Sequence, residues 1–300
     1  MIHRAHGAHA LLAIALGLVL GGAPPPTRAA VVLRDDWQHE VTFTRPPLRI
    51  VSLLPSLTET VCALGACDRL VATDRYSDWP PEVRSLPKTG GLDDVEIETI
   101  VRLNPDLVLL SRSQRIADRL SELHVESFSL ETQGYTAIAR NVTMIGAILD
   151  LPERAAALNQ RIDHSIREVS AQAHRRGTEP TVYFEVDPAP YAAAPESFIG
   201  ELLSLLGTRN IVSSDLGPFP KLNPEFVVRA QPDLILASDE ELAQMPSRPG
   251  WDALKALRSA HTCGFPDPAF EVLVRPGPRL GEAAEEIAQC LSRLGVGEAK

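Results

Sequence analysis

Three hundred residues, of which 44% are apolar, 23% charged and 5% aromatic, suit one large globular domain or two ordinary ones and exclude disordered, collagen-like and low-complexity chains. The 39 acids outnumber the 29 bases, and the resulting net charge of -10 repels phosphate backbones, which argues against nucleic acid as a partner. The prolines and glycines are spread along the chain, so they punctuate folded elements instead of building a linker.

In chain order, the weakly basic start (His3, Arg4, His6, His9) precedes an apolar run from Ala10 to Ala23, and Pro24-Pro25-Pro26 then breaks any helix. This is the layout of a signal peptide over residues 1–29, with cleavage expected near Ala29. The run falls short of the roughly 20 residues a membrane-spanning helix needs, and no cysteine lies nearby to accept a lipid. A soluble protein in an exported compartment is expected. Next, Val31-Val32-Leu33 and Glu40-Val41-Thr42-Phe43 flank the polar Arg34-Asp35-Asp36 and predict a hairpin. The apolar run Arg49 to Leu54 predicts a core strand, and Ser56-Leu57-Thr58-Glu59 has the capping-box pattern of a helix start. That places a helix N-terminus at the carboxyl end of a strand, where open α/β sheets bind ligands.

The clearest organisational signal is an internal repeat. Residues 96–110, with Glu98 at a helix start and Asn104-Pro105-Asp106-Leu107 behind it, align at a constant offset with residues 223–237, which carry Glu225 and Gln231-Pro232-Asp233-Leu234. In each copy a short amphipathic helix ends at Pro-Asp and a β-branched run enters a buried strand. A second echo pairs Ala63-Leu64-Gly65 with Leu205-Leu206-Gly207, each closing a helix after an apolar strand, Arg49 to Leu54 and Thr181 to Val186. The predicted fold class is therefore α/β, with two similar lobes built on mainly parallel central sheets. The predicted boundaries are 30–135 for the first lobe, 136–176 for a linking helical segment and 177–300 for the second lobe. The linker reads as two helices separated at Asp150-Leu151-Pro152, and in the second Ala155, Leu158, Ile162, Ile166, Val169 and Ala173 form one buried stripe. A single long helix between lobes predicts limited closure.

Cys62, Cys67, Cys263 and Cys290 allow three pairings, of which the local pairs Cys62 with Cys67 and Cys263 with Cys290 are preferred, with small buried thiols as the alternative. No cysteine or histidine spacing suits a metal site, so no metal or cofactor is expected. Trp79 is read as packing under the prolines that follow it, and Trp251 as core.

Taken together, Arg49 to Thr60, Tyr76-Ser77-Asp78-Trp79-Pro80-Pro81, Gly90-Gly91, the two Pro-Asp-Leu units and Arg275-Pro276-Gly277-Pro278-Arg279 resemble the substrate-binding proteins of ABC importers. Within these the chain is most similar to the helical-backbone class for cobalamin, haem and ferric siderophores, and in that class to its cobalamin-binding members. The resemblance implies two lobes joined by a long rigid helix, a ligand in the cleft between them, a periplasmic location and docking of a monomer onto a dimeric permease. It carries the ligand-contacting aromatics to Tyr76, Tyr191 and Phe219, while two tryptophans of the cobalamin binders fall on Leu92 and Ser111. It carries the two permease-docking glutamates to Glu98 and Glu225, the acids that open the repeat.

On the residues alone, Arg112 after a core strand and Arg275 beside the Pro-Gly-Pro turn are candidates for the ligand's polar groups, and Arg279 for a structural pair. A corrinoid brings its own cobalt ligands, whereas haem would take an axial ligand from Tyr76 or Tyr191 and a siderophore would take Arg112 with Arg275. An exported α/β hydrolase is the competing class. Against it, the chain holds no GxSxG, HExxH or phosphate-loop motif, so no enzyme activity is expected.

Overall fold

The computed structural model describes Met1 and residues 30–173, 179–188 and 190–295, so residues 2–29 of the expected signal segment lie outside it. The predicted hairpin forms from β1 (Val31–Arg34) and β2 (Glu40–Phe43), paired antiparallel with Val41 and Phe43 buried. Its turn is tied by the Asp35 carboxylate, which accepts the backbone N–H groups of Trp37 at 2.9 Å and His39 at 2.8 Å.

The first sheet contains β3 (Ile50–Ser52), β4 (Leu70–Thr73), β5 (Leu107–Ser111) and β6 (Ser127–Leu130), all parallel and ordered β4-β3-β5-β6. Helices α1 (Pro55–Ala63), α2 (Ile97–Arg102) and α3 (Ala117–Glu122) connect these strands. The strands are continuous apolar runs because helices cover both sheet faces, leaving no solvated side to impose alternation. The linker then forms α4 (Tyr135–Leu149) and α5 (Pro152–Ala173), separated where predicted. Asp150 takes the left-handed conformation that ends α4, and Pro152 opens α5.

The second lobe holds β7 (Thr181–Asp187), β8 (Tyr191–Ala192), α6 (Phe198–Leu205), β9 (Arg209–Asn210), α7 (Pro224–Ala230), β10 (Leu234–Ser238), α8 (Asp239–Gln244), α9 (Lys255–Arg258), β11 (Thr262–Phe265), α10 (Asp267–Val274) and α11 (Leu280–Arg293). Its parallel strands run β9-β7-β10-β11, and β8 adds antiparallel to β7. The two sheets thus repeat one strand order, with α2–β5 and α7–β10 as the equivalent units.

Repeated chemistry underlies the repeated shape. Asn104 and Gln231, at φ 44° and 46°, end the two helices in the left-handed region. The following aspartates then bind the neighbouring strand. Asp106 accepts the N–H groups of Leu48 at 2.8 Å and Arg49 at 2.9 Å, and Asp233 accepts the N–H of Thr181 at 2.8 Å and its hydroxyl at 2.6 Å. Gly65 and Gly207 close α1 and α6 at φ 79° and 77°, a conformation that costs any side-chain-bearing residue free energy.

One sequence expectation changes. Ser56 and Glu59 form no capping box, because α1 starts two residues earlier than that pattern requires, with Leu54 as its N-cap and Pro55 preset for the first turn. Glu59 turns instead toward the second lobe. Both local disulfides are present, Cys62–Cys67 tying the end of α1 to the turn before β4, and Cys263–Cys290 tying β11 to α11. One continuous apolar core includes Ile50, Leu107 and Phe128 of the first sheet, Val142, Leu158 and Ile162 of the linking helices, and Val182, Phe184 and Leu236 of the second sheet. Separate clusters cover the far face of each sheet, one around Val51 and Val108, the other around Tyr183 and Trp251. Among the described residues, no helix is long and apolar enough to cross a membrane.

Candidate ligand cleft and docking helices

Parallel strands deliver their outgoing loops to one edge, so the loops after β3, β4 and β5 gather at the carboxyl edge of the first sheet, and those after β7 and β10 at that of the second. The loop after β4 carries Tyr76. A buried polar cluster holds this loop: the Thr58 hydroxyl of α1 donates to Ser52 Oγ at 2.9 Å and lies 2.9 Å from Ser77 Oγ, and Asp74 accepts the Tyr76 N–H at 2.8 Å. Lys88 Nζ donates to Thr73 Oγ1 at 2.8 Å and to the Ser77 carbonyl at 2.6 Å. Burial pushes the Asp74 carboxyl up and the Lys88 ammonium down, each away from its charged form. The cluster fixes the loop's backbone and leaves the Tyr76 ring 55% exposed.

In the second lobe Tyr191 lies on β8, half-exposed, with Lys221 Nζ 5.9 Å from its ring centroid. The 218–220 segment runs beside β8, its Pro218 and Pro220 carbonyls accepting the N–H groups of Ala194 and Ala192 at 3.0 Å each. Phe219 between them packs its ring edgewise on Phe198, the first residue of α6, at 6.1 Å. Arg112 follows β5 and is half-exposed, with its guanidinium 5.5 Å from the Trp37 ring centroid and 3.9 Å from Glu131. Trp37 has no counterpart in the sequence reading. It reaches this edge because Asp36 N–H donates to Ser129 O of β6 at 2.9 Å, a long-range contact that local pattern does not reveal.

The two lobes meet at the turn between α10 and α11. Arg275 Nη1 donates to Glu59 Oε1 at 3.1 Å and Asp78 Oδ1 at 2.8 Å, and its Nη2 reaches the Tyr76 carbonyl at 3.2 Å and Glu271 at 2.6 Å. Arg279 binds both oxygens of Glu59, through Nε at 2.8 Å and Nη2 at 2.7 Å. Glu59 is buried, as are Arg275 and most of Arg279. Burial alone would raise the Asp78 carboxyl, but the hydrogen bond and charge of Arg275 outweigh it and hold the group below its usual range. Tyr76 and Arg275 are therefore brought together through backbone and ion pairs, and the Arg275 guanidinium is engaged by three acids. Arg279 takes the structural pairing expected of it. Trp79, read from sequence as packed under the prolines, is instead 42% exposed, with Arg279 5.0 Å from its ring centroid.

Glu98 and Glu225 occupy the same second position in α2 and α7, and both are exposed. Each helix turns back into its strand through a short connection, four residues after α2 and three after α7, so its N-terminus lies at that strand's carboxyl edge, on the side of the lobe that carries the ligand loops. Glu225 lies 3.6 Å from Arg229, a pair too exposed to hold it firmly.

Two lobes of one topology, joined by a long helix and meeting at their carboxyl edges, define a bilobed binding protein. A family model described as periplasmic binding protein matches residues 50–269, and the chain belongs to that family. It is 29% identical over 272 residues to an uncharacterized ABC transporter substrate-binding lipoprotein of Bacillus subtilis, covering 87% of this chain and 85% of that one. A vitamin B12-binding protein of Photorhabdus laumondii is 27% identical over 255 residues, covering 83% and 90%. The crystal structure of the periplasmic vitamin B12 binding protein of Vibrio cholerae superposes with a TM-score of 0.73 at 26% identity, covering 84% of this chain and 99% of that one.

Proposed function

We propose that this protein captures a corrinoid in the cleft between its lobes, outside the cytoplasm, and delivers it to an ABC importer without chemistry of its own. The observation that carries the reading is the pair of exposed rings, Tyr76 and Tyr191, at the carboxyl edges of two equivalent sheets. A flat macrocycle offers each lobe an apolar face on which a ring can lie. The relatives that bind vitamin B12 support the same ligand class. Phe219 is assigned to the second lobe's wall and Arg112 to the ligand's polar periphery, whereas Arg275, a sequence candidate for the same role, has its guanidinium buried and held by Glu59, Asp78 and Glu271 and is assigned to the seam. Glu98 and Glu225 are assigned to the permease: two acids at equivalent helix starts suit a two-fold symmetric partner carrying arginines, for which charge-assisted pairs provide orientation as well as affinity.

Titration of the purified protein with cyanocobalamin, haemin and a ferric siderophore, followed by heat and visible spectrum, tests the reading. One-to-one corrinoid binding with little spectral change is expected. No corrinoid binding together with a shifted haem band would overturn it in favour of a haem binder that uses an exposed tyrosine hydroxyl as axial ligand. Tyr76→Ala with Phe219→Ala should weaken corrinoid binding by roughly 10- to 100-fold. Glu98→Ala with Glu225→Ala should leave affinity unchanged and abolish uptake by the reconstituted importer.

A further inference from the structure

Of the three tryptophans, Trp251 is fully buried, whereas Trp37 and Trp79 reach the surface. All the neighbours described above for Trp37 belong to the first lobe. Trp79 differs. One end of its loop is held by Arg275 through Asp78, and its ring lies against Arg279, which is itself fixed by two hydrogen bonds to Glu59. An indole costs free energy to leave in water, and Pro80 and Pro81 are adjacent, yet the ring is not covered by them.

The surroundings point to what covers it. Tyr76 is 55% exposed and Leu92 48% exposed, and Gly91 brings its backbone so close to the Tyr76 ring that an added Cβ would lie 3.1 Å from it. Tyr76, Trp79 and Leu92 thus offer large unburied side chains from neighbouring loops at the carboxyl edge, at the seam where the lobes meet. On the resemblance described above, Leu92 and Ser111 stand where the cobalamin binders would carry tryptophan. Ser111 is buried, its N–H donating to Gln114 Oε1 at 2.9 Å and its hydroxyl 3.0 Å from that of Ser113, so it presents no surface to a ligand.

We infer that Trp79 is a ligand-contacting residue of the cleft, its indole supplying the flat apolar surface missing at positions 92 and 111. Arg279, from the opposite lobe, acts as a positioning residue for the ring, and Glu59 of the first lobe fixes Arg279 in turn. The inference rests on the corrinoid reading and specifies one wall of that site.

Two measurements on the whole protein test it. In calorimetric titration with cyanocobalamin, Trp79→Ala should weaken binding about tenfold, Trp79→Phe should restore most of the loss, and Trp37→Phe should change nothing. Hydroxyl-radical footprinting of the unaltered protein, read by peptide mass spectrometry, needs no substitution at the site. Oxidation of Trp79 should fall on saturation with cyanocobalamin while that of Trp37 stays constant. Failure of the unaltered protein to bind cyanocobalamin would overturn the corrinoid reading and this assignment together. Unchanged affinity in Trp79→Ala, or equal oxidation of Trp79 with and without ligand, would overturn the assignment alone and leave the corrinoid reading standing.

Discussion

Glu59 shows how much one side chain can decide. It lies on α1, in the pattern of a local cap, yet its carboxylate is buried against two arginines more than two hundred residues away. A carboxylate removed from water is tolerable only with donors on both oxygens, and Arg275 and Arg279 together supply three. Removing the charge leaves Arg279 without its bidentate acid partner, and Arg275 with only Asp78 and Glu271, at the seam. Glu59→Gln should therefore cost about 3–5 kcal/mol in denaturant unfolding, more than a surface pair could. A loss below about 1 kcal/mol would show that the seam opens to water without it. The acid was visible in the sequence, but its partners were not, since nothing local in residues 56–59 reports a turn at residues 275–279.

Among the elements, the helix-to-strand units were the most legible. Their amphipathic helix, Pro-Asp break and apolar strand follow from local propensity, and the offset between copies exposed them as one unit used twice. The role of the aspartates was not legible: Asp106 and Asp233 follow their helices and hold backbone donors at the start of the adjacent strand, which only sheet pairing brings near. The disulfides divide similarly. Cys62–Cys67 closes a separation of 5 residues within one helix end, whereas Cys263–Cys290 closes 27 and joins a strand to the last helix. In the chain-entropy picture the longer loop contributes about 3.6 kcal/mol and the shorter about 2 kcal/mol. Cys263→Ser with Cys290→Ser should lower the melting temperature more than Cys62→Ser with Cys67→Ser, and calorimetry of the two variants checks the order.

At the scale of the molecule, α5 accounts for only part of the rigidity expected between the lobes. It runs 22 residues, about 33 Å, but the apolar core that includes its stripe continues into both sheets without a break. The Phe198 N–H donates to Gln133 O at 2.8 Å beside it, and the Glu59 cluster closes the seam. A hinge motion would have to open packed core and buried ion pairs together. The radius of gyration from small-angle scattering should accordingly match in the free and cyanocobalamin-saturated protein, and a clear decrease on saturation would reveal a hinge.

By itself the sequence determined the α/β class, the duplicated lobe and the linking helices. Each of these is written in short-range periodicity, turn chemistry or the spacing between copies, and needs no knowledge of which distant segments touch. Only the tertiary structure decided which face of Trp79 meets a cation, where Glu59 points, and how Trp37 reaches the edge of the first sheet. These depend on contacts between residues tens to hundreds of positions apart, which are selected by packing the two sheets onto one shared core.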